Sequence, residues 1–264
     1  PRYYFWTDWE NHTGPYTSAF FGVPAVATLA KDAKGLGEVA VTPRLGVRRV
    51  FARHFFHEFS AGADLSGGLG TGQSGNDAQA PMILQEMRNV GEIVNRIHRM
   101  AKPTLAVVDG VCVGVAFGLA LACDLVIASD RARFGAVFAK RGLALDGGLS
   151  WSLPRAVGMR RAKQMAFFGE MVSGPDALEA GMINACVPAG ELHAMGDQWA
   201  AKLATSATTA LGLIKRQMDA SSSIPMEKAV EDEARSQHVA FTTNDLHEGI
   251  RAFMERREPR FTGR

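Results

Sequence analysis

The sequence predicts an α/β fold that is followed by a helical C-terminal region. "PTLAVVDG" and "LVIAS" are short apolar runs of the kind that form buried strands. The small apolar run "VGVAFGLALACD" between them is typical of a closely packed helix. Strand, helix and strand in that order indicate a right-handed crossover between parallel strands. After Glu191 the pattern is helical almost to the last residue.

The elements before and after this crossover differ in how clearly they can be assigned. In the first 58 residues, "YYFWTDW" is compatible with a strand, whereas "GVRRVFARHFFHE" follows neither the strand nor the helix period. After Asp77 an amphipathic helix is predicted, because Pro81 suits a first turn and apolar residues recur at three- and four-residue spacing. These are Ile83, Met87, Val90, Val94 and Ile97. "SGPDALEAG" predicts a helix with Pro175 near its start and Gly181 as the C′ residue after its end, and "MINACVP" predicts the next strand.

The C-terminal region is predicted to contain three helical stretches between about residues 192 and 257, separated by Gly, Ser and Pro breaks. The last stretch, "NDLHEGIRAFMERRE", follows an Asn244 cap. Its apolar face carries Leu246, Ile250 and Phe253. We therefore expect two domains, a core over 1–195 and a helical region over 196–264.

Composition limits the class of protein. The 264 residues are 47% apolar and 21% charged, as in a soluble globular protein, and a net charge of +2 gives no broad surface for nucleic acid. No apolar run reaches the roughly twenty residues of a membrane span and no signal-peptide core is present, so a cytoplasmic protein is expected. Cys112, Cys123 and Cys186 are scattered, which favours buried thiols over a zinc site.

Three other features of the sequence have a structural as well as a functional interpretation. "GTGQSG", residues 70 to 75, matches the dinucleotide-binding pattern, but it lies in a Gly/Ser-rich stretch with no strand before it, which favours a loop. The seven histidines form no metal-binding or Ser-His-Asp motif, and we expect no metal site. The basic terminus "RREPRFTGR" is compatible with a solvated tail and with phosphate contact.

The stretch "LALDGGLSW", residues 143 to 151, is compatible with two interpretations of Asp146. Asp followed by two glycines is typical of a turn or of a cap for the helix that follows, and these nine residues alone favour that interpretation. Alternatively, an acid buried beside Leu143, Leu145 and Trp151 loses water, its pKa rises, and it becomes a usable proton carrier.

Four segments, in their order and spacing, resemble the crotonase family, the enoyl-CoA hydratases and isomerases. They are "FSAGADLSGG", "AKPTLAVVDGVCVGVAFGLALACDLVIASDRARFG", "RGLALDGGLSWSLPRAVGMRRA" and "EGIRAFMERREPRFTGR". The resemblance covers about residues 59–264, whereas "ARHFFHE" stands where the family usually has a Thr-Gly-x-Gly-like loop. It implies a spiral of ββα units that holds the acyl-CoA pocket, and a helical C-terminal region that assembles a homotrimer or a dimer of trimers. It also implies acyl-CoA thioester substrates, with no cofactor beyond their coenzyme A moiety.

The resemblance implies catalytic roles as well. The backbone N–H groups of Ala63 and Val115 would hold the thioester oxygen as it becomes an enolate, and Val115 stands where the family usually has Gly. The two glutamates of the hydratases correspond to Gly118 and Phe138, so the usual equipment for adding water is missing. Asp146 lies where isomerases of the ring-oxepin and phenylacetate-degradation type carry a catalytic Asp.

For coenzyme A, the resemblance assigns the adenine and pantetheine to backbone around Ala61, Asp64 and Leu65. Phe253 and Arg256 correspond to the aromatic and basic positions that a neighbouring subunit offers to the ligand. Helical spacing alone would also allow Phe253 to be a core residue.

The function predicted from these residues is an enoyl-CoA isomerase in which Asp146 carries the proton. An enoyl-CoA hydratase acting on an unusual acyl-CoA, and a non-catalytic acyl-CoA-binding protein, are the alternatives. A dehalogenase with a nucleophilic Asp would need a His to activate water, and none is evident. Of the other acids, Asp109, Asp124 and Asp130 are expected in turn and cap roles.

Overall fold

The computed structural model describes residues 4–8, 58–59 and 80–264. These residues contain eight strands: β1 Tyr4–Asp8, β2 Glu58–Phe59, β3 Leu105–Asp109, β4 Val111–Val113, β5 Leu125–Ser129, β6 Arg133–Gly135, β7 Met171–Ser173 and β8 Ala185–Val187. They also contain nine α-helices: α1 Ala80–His98, α2 Val115–Ala122, α3 Leu149–Val157, α4 Met159–Phe168, α5 Gly174–Glu179, α6 Leu192–Thr205, α7 Thr208–Ser221, α8 Met226–Ala240 and α9 Asn244–Met254. Short 3-10 helices lie at Val137–Arg141 and Ala189–Glu191.

The chain divides into two compact units. The first, here called the sheet unit, contains the strands with α1 to α5 and ends at His193. The second, here called the helical unit, consists of Arg99–Thr104 and Ala194–Arg264, and holds most of α6 together with α7 to α9.

Two sheets build the sheet unit. The larger has the strand order β2-β1-β3-β5-β8, and all of its pairs are parallel. β3 and β5 pair from Leu105 opposite Leu125 onward, which confirms the crossover predicted from the two apolar runs. The smaller sheet has the order β4-β6-β7, with β6 and β7 antiparallel. Its first strand, β4, lies between β3 and α2 in the chain.

The core of the sheet unit lies around α2. This helix is apolar on every side, as a helix enclosed by neighbours should be. The rings of Phe117 and Phe134 pack with their centroids 5.7 Å apart. α1 contributes Val94 and Ile97 from the face predicted by its spacing. The resulting core fixes α2 between α1, the strands and α3.

The helical unit has four helices where three were predicted. α6 ends at Thr205 and α7 begins at Thr208, with neither Gly nor Pro at the break. The hydroxyl of Thr205 donates to the Ala201 carbonyl at 2.9 Å and that of Ser206 donates to the Lys202 carbonyl at 2.7 Å. Such hydroxyls compete with backbone donors for these carbonyls, which favours a helix end that Gly and Pro do not mark.

The last helix differs from the prediction in its cap and in its exposure. Thr243, rather than Asn244, is the N-cap, and its hydroxyl oxygen accepts the Leu246 N–H at 3.3 Å. Ile250 is 52% exposed and Phe253 is 85% exposed, so this face does not enter a core of the same chain. The helices of the described residues include none with the length and apolarity of a membrane span.

Candidate active site

A tight turn carries Asp146 from the 3-10 helix at Val137–Arg141 to the start of α3. Gly147 and Gly148 both have positive φ, 60° and 75°, which favours glycine at each position. The backbone carbonyl of Asp146 accepts the N–H of Leu149 at 3.1 Å. Gly148 is the N-cap of α3. The turn predicted from Asp-Gly-Gly is confirmed, and the Asp146 side chain does not cap the helix.

The side chain of Asp146 is chemically unusual. Its Oδ1 atom is buried and, among the described residues, it is the one buried side-chain oxygen or nitrogen without a hydrogen-bond partner. Burial raises the pKa of Asp146 above its ordinary value. Native proteins pair nearly all buried polar atoms, so an unpaired carboxylate oxygen calls for an explanation in ligand binding or chemistry.

The prediction that Leu143, Leu145 and Trp151 bury Asp146 is only partly correct. Leu145 packs against the core, but Leu143 and Trp151 are exposed. Trp151 contacts the ring of His98 and the guanidinium of Arg155 at the surface instead. Nine residues of sequence did not reveal that α2 covers this turn.

The contact between the turn and α2 is direct. A Cβ added to Gly147 would lie 3.2 Å from the Cα of Val115. A Cβ added to Gly118 would overlap the carbonyl oxygen of Gly147 and would lie 2.7 Å from its carbonyl carbon. The peptide that follows Asp146 therefore rests on the first turn of α2, where the sequence predicted an oxyanion donor.

The N-terminus of α2 carries the N–H group of Val115, the predicted donor. Gly114 is the N-cap, with φ 60°, and its own N–H donates to the Gly135 carbonyl at 3.2 Å. The first helical N–H bond that returns to this cap comes from Gly118, at 3.1 Å. The N–H of Val115 precedes it and has no acceptor among the described residues. A free N–H at the positive end of a helix suits a developing negative charge.

The two positions that the resemblance matches to the hydratase glutamates, Gly118 and Phe138, have surroundings that the structure shows. Gly118 is covered by the Gly147 carbonyl, so a side chain there has no room. Phe138 is buried, and its ring lies 3.7 Å from where a Cβ of Gly114 would be. Backbone and an aromatic ring thus stand at the two places, next to the helix end that carries Val115.

Asp109 is buried but fully paired. Its carboxylate accepts the Ser129 hydroxyl at 2.6 Å, and Arg131 donates to both of its oxygens, from Nε at 2.6 Å and from Nη2 at 2.5 Å. Arg131 lowers the pKa of Asp109. Asp130 is exposed and accepts the Ala189 N–H at 3.2 Å. The Asp109 carboxylate thus holds an ion pair with Arg131 rather than the predicted turn or cap, and the Asp130 carboxylate bonds a distant segment of the chain.

Phe253 and Arg256 lie at the end of α9 in the helical unit. Phe253 lines a cavity of about 410 Å³ together with Leu246, Ile250 and Phe261. Its exposure rules out the alternative that it is a core residue of this chain. Arg256 is exposed and has φ 55°, and among the described residues it is the one non-glycine with positive φ. Such a backbone costs energy, which makes Arg256 a candidate for a functional constraint.

Several predicted residues lie outside the described part of the chain. Ala63, the second predicted oxyanion donor, is one of them, as are Ala61, Asp64 and Leu65 of the predicted coenzyme A contacts. The "GTGQSG" stretch lies outside it as well. In the described ranges, no cluster of three or more His, Cys, Asp or Glu residues is arranged to hold a metal ion.

The chain is similar to known proteins of one family. A family model described as enoyl-CoA hydratase/isomerase matches residues 56–264. The 1,2-epoxyphenylacetyl-CoA isomerase of Escherichia coli is 37% identical over 172 residues, which cover 65% of this chain and 66% of that protein. A protein of Rhodobacter capsulatus named "Probable enoyl-CoA hydratase" is 35% identical over 206 residues, covering 78% of this chain and 77% of that one.

Solved structures of enoyl-CoA hydratases and related proteins have the same fold as this chain. The crystal structure of an enoyl-CoA hydratase from Polaromonas sp. JS666 matches with a TM-score of 0.67 and 30% identity, covering 71% of this chain and 73% of that one. The α/β fold with a helical C-terminal region, predicted from the sequence and its resemblance, is confirmed. The relatives include proteins named as hydratases and proteins named as isomerases.

Proposed function

Because the chain belongs to the enoyl-CoA hydratase/isomerase family, whose members act on acyl-CoA thioesters, we propose that it moves the double bond of an enoyl-CoA with Asp146 as the proton carrier. The observation that carries this proposal is the buried, unpaired Oδ1 of Asp146 on a turn that rests against the N-terminus of α2. It combines a single base with a helix end suited to an enolate.

The proposed reaction needs one carboxylate. Asp146 removes a proton from carbon 2 of a 3-enoyl thioester, and the electron pair of that C–H bond spreads over the chain to the thioester oxygen. The N–H of Val115, together with that of Ala63, binds this oxygen. Each such donor is worth about 3 kcal/mol to a transition state. Asp146 then returns the proton to carbon 4, which leaves the double bond between carbons 2 and 3.

The raised pKa of Asp146 supports this role. An ordinary aspartate is a weak base because its pKa lies far below neutral pH. Burial moves the pKa of Asp146 upward, toward the range in which a carboxylate takes and returns a proton effectively. The unpaired Oδ1 also leaves one acceptor site for the substrate C–H, since no donor in the described part of the chain competes for it.

The surroundings favour isomerisation over hydration. Adding water across a double bond needs a base for the water and an acid for the α-carbon. In this chain the two hydratase positions are Gly118, covered by backbone, and Phe138, which packs an aromatic ring there. Neither supplies a carboxylate to hold a water molecule.

The decisive experiment follows the absorbance of the conjugated thioester. Native protein, Asp146→Asn and Asp130→Asn are each given a 3-enoyl-CoA and, separately, a trans-2-enoyl-CoA. We expect native protein to convert the 3-enoyl substrate and Asp146→Asn to lose about 10²- to 10⁴-fold in kcat, the usual contribution of a positioned base. Asp130→Asn, which alters an exposed acid whose carboxylate accepts the Ala189 N–H, should retain the native rate.

Two other outcomes would assign different functions. Hydration of the 2-enoyl substrate by native protein and by Asp146→Asn alike would make the chain a hydratase and Asp146 a turn residue. Binding of both thioesters without turnover would make it an acyl-CoA-binding protein.

The helical unit supports a proposal about assembly. Its buried side chains are small or polar: Thr104, Ala200, Ser236, Asp245 and Ala252. Many of its large apolar side chains are exposed, namely Ile214, Met218, Met226, Val230, Val239, Phe241, Ile250, Phe253 and Met254. Such a surface favours contact with another protein molecule. A homotrimer or a dimer of trimers would give a light-scattering mass of three or six times 28.4 kDa, and a monomer would contradict it.

Within such an assembly, Phe253 and Arg256 are the residues we propose to contact the coenzyme A of a neighbouring copy. Arg256 is exposed, and a guanidinium suits a phosphate group. Phe253 offers an exposed ring nearby on the same helix end.

A further inference from the structure

Gly118 lies inside α2, where helix formation itself gives no reason for a glycine. α2 is otherwise built from larger residues, among them Ala116, Ala120 and Ala122, and alanine stabilises a helix better than glycine does. Gly91 in α1, another helical glycine of the sheet unit, has open space where a Cβ would be. At Gly118 the space is taken, because a Cβ would overlap the Gly147 carbonyl oxygen. At Gly118 the missing side chain therefore admits another segment of the chain.

The segment it admits is the turn that carries Asp146. Gly147 lies against both ends of the first turn of α2, with its would-be Cβ 3.2 Å from the Cα of Val115 and 3.5 Å from the Cα of Gly118. Gly147 also needs glycine for its φ of 60°. Two glycines, one on each segment, thus allow the backbones to touch.

We propose that Gly118 is a positioning residue: its missing side chain seats the Gly147 carbonyl on α2, which fixes the Asp146 carboxylate relative to the N–H of Val115. The catalytic part of this inference rests on the proposed function, whereas the seating of the turn does not. Small displacements of a base from its substrate are costly, since about 1 Å of misplacement can lower a rate by about 100-fold.

A consequence concerns the choice between the two reactions. A glutamate at position 118 and a seated Asp146 turn exclude each other, because the glutamate Cβ would occupy the place of the Gly147 carbonyl. Gly118→Glu should therefore remove isomerisation without creating hydration. The chain is committed to one acid arrangement by backbone packing as well as by the identity of its side chains.

The test compares Gly118→Ala with Gly91→Ala, each a glycine-to-alanine change inside a helix of the sheet unit. Four quantities are measured: the melting temperature, kcat and KM for a 3-enoyl-CoA, and the pKa of Asp146. The last comes from a carboxyl ¹³C NMR titration in which the Asp146 signal is identified by its absence in Asp146→Asn. We expect Gly118→Ala to move the turn off α2 and admit water to Oδ1.

The expected result is a pKa of Asp146 that falls toward its ordinary value in Gly118→Ala, with kcat reduced by about 100-fold and KM changed much less. Gly91→Ala should leave both the pKa and kcat unchanged. A simple loss of stability would not move the pKa of a folded protein. A folded Gly118→Ala protein with the native pKa and kcat would overturn the inference.

The failures of the two proposals can be told apart. If Asp146→Asn is inactive and Gly118→Ala keeps the native pKa, the proposed function stands and the positioning role is wrong. If the pKa falls in Gly118→Ala but Asp146→Asn remains fully active, the turn is seated as proposed and the base is wrong. Should Gly118→Ala not fold, Gly147→Ala is the second variant, because its added methyl group presses on Val115 from the side of the turn. A native pKa of Asp146 in folded Gly147→Ala would overturn the inference equally.

Discussion

The sheet unit encloses a core that includes large apolar side chains, and among its described residues one buried side-chain oxygen, Oδ1 of Asp146, has no hydrogen-bond partner. The helical unit is built differently. Its buried carboxylate, Asp245, accepts the backbone N–H groups of Thr262 at 2.7 Å and Gly263 at 2.8 Å, and its other buried side chains are small or polar. Both units expose large apolar side chains, but among the residues that the structure describes only the sheet unit also buries some of them.

These two features, an unpaired buried oxygen in the sheet unit and exposed apolar side chains in the helical unit, point to different kinds of function. An unpaired polar atom in an interior costs free energy and returns nothing to packing, so it favours a role in chemistry. Exposed apolar surface also costs free energy, but a second protein molecule or an apolar ligand removes that cost on binding. The sheet unit is thus the candidate for catalysis and the helical unit the candidate for assembly and ligand contact.

Two phenylalanines test this contrast most strongly. Phe138→Ala should lower the free energy of unfolding by about 3 to 5 kcal/mol, because it opens a cavity in the core of the sheet unit. Phe253→Ala removes an exposed ring and should instead raise the protein concentration needed for assembly. Urea unfolding and analytical ultracentrifugation of both variants distinguish the two effects. Equal losses of stability that do not depend on concentration would refute the contrast.

Buried Asp109 and half-buried Asp146 of the sheet unit form the next test. Asp109→Asn should lower the free energy of unfolding by about 2 kcal/mol near neutral pH, because it weakens charged hydrogen bonds from Arg131 and Ser129. Asp146→Asn should leave stability unchanged or raise it, since it removes a buried charge that has no partner. Chemical denaturation at one pH is sufficient. A large loss in Asp146→Asn would show that the acid is structural.

The same variants should differ in the sign of their pH dependence. The folded pKa of Asp146 is raised, so its contribution is present below the unfolded value of 3.8 and is lost as pH rises through the folded pKa. The folded pKa of Asp109 is lowered, so its contribution is present above 3.8 and is lost as pH falls through the folded pKa.

The advantage of Asp146→Asn over native protein should therefore grow with pH from about 3.8 up to the raised pKa, while the deficit of Asp109→Asn should shrink below 3.8. Melting temperatures measured over a series of buffers provide the comparison. Parallel curves for the two variants would contradict the opposite pKa shifts.

The parts of the fold that the sequence predicts are those with strong local patterns. β3, α2 and β5 follow from apolar runs that leave little choice of structure. β4 and β6 have only three residues each, too few for a period to show. Helix α9 was recognised from its period, but periodicity gives an apolar face without saying which molecule covers it.

The candidate site, like the fold, has parts that local sequence predicts and parts that it does not. Asp146 and its turn follow from neighbouring residues and from the family resemblance, and the turn is confirmed. The contact of Gly147 with Gly118, and the pairing of Asp109 with Arg131, join residues more than twenty positions apart. Such contacts depend on how strands and helices pack, so composition and spacing give no signal for them.

Arg256 provides the test with the smallest expected effect, and it concerns the helical unit alone. Its positive φ is costly for a residue with a Cβ, so Arg256→Gly should raise the free energy of unfolding by about 1 kcal/mol. The same change should weaken binding of coenzyme A if the guanidinium contacts a phosphate. Arg256→Lys keeps the charge and the strained backbone, so it should show neither the gain in stability nor the full loss of affinity. A stabilised Arg256→Gly protein with native affinity would mean that the strain serves some purpose other than ligand binding, because natural selection would then gain nothing in affinity from keeping arginine there.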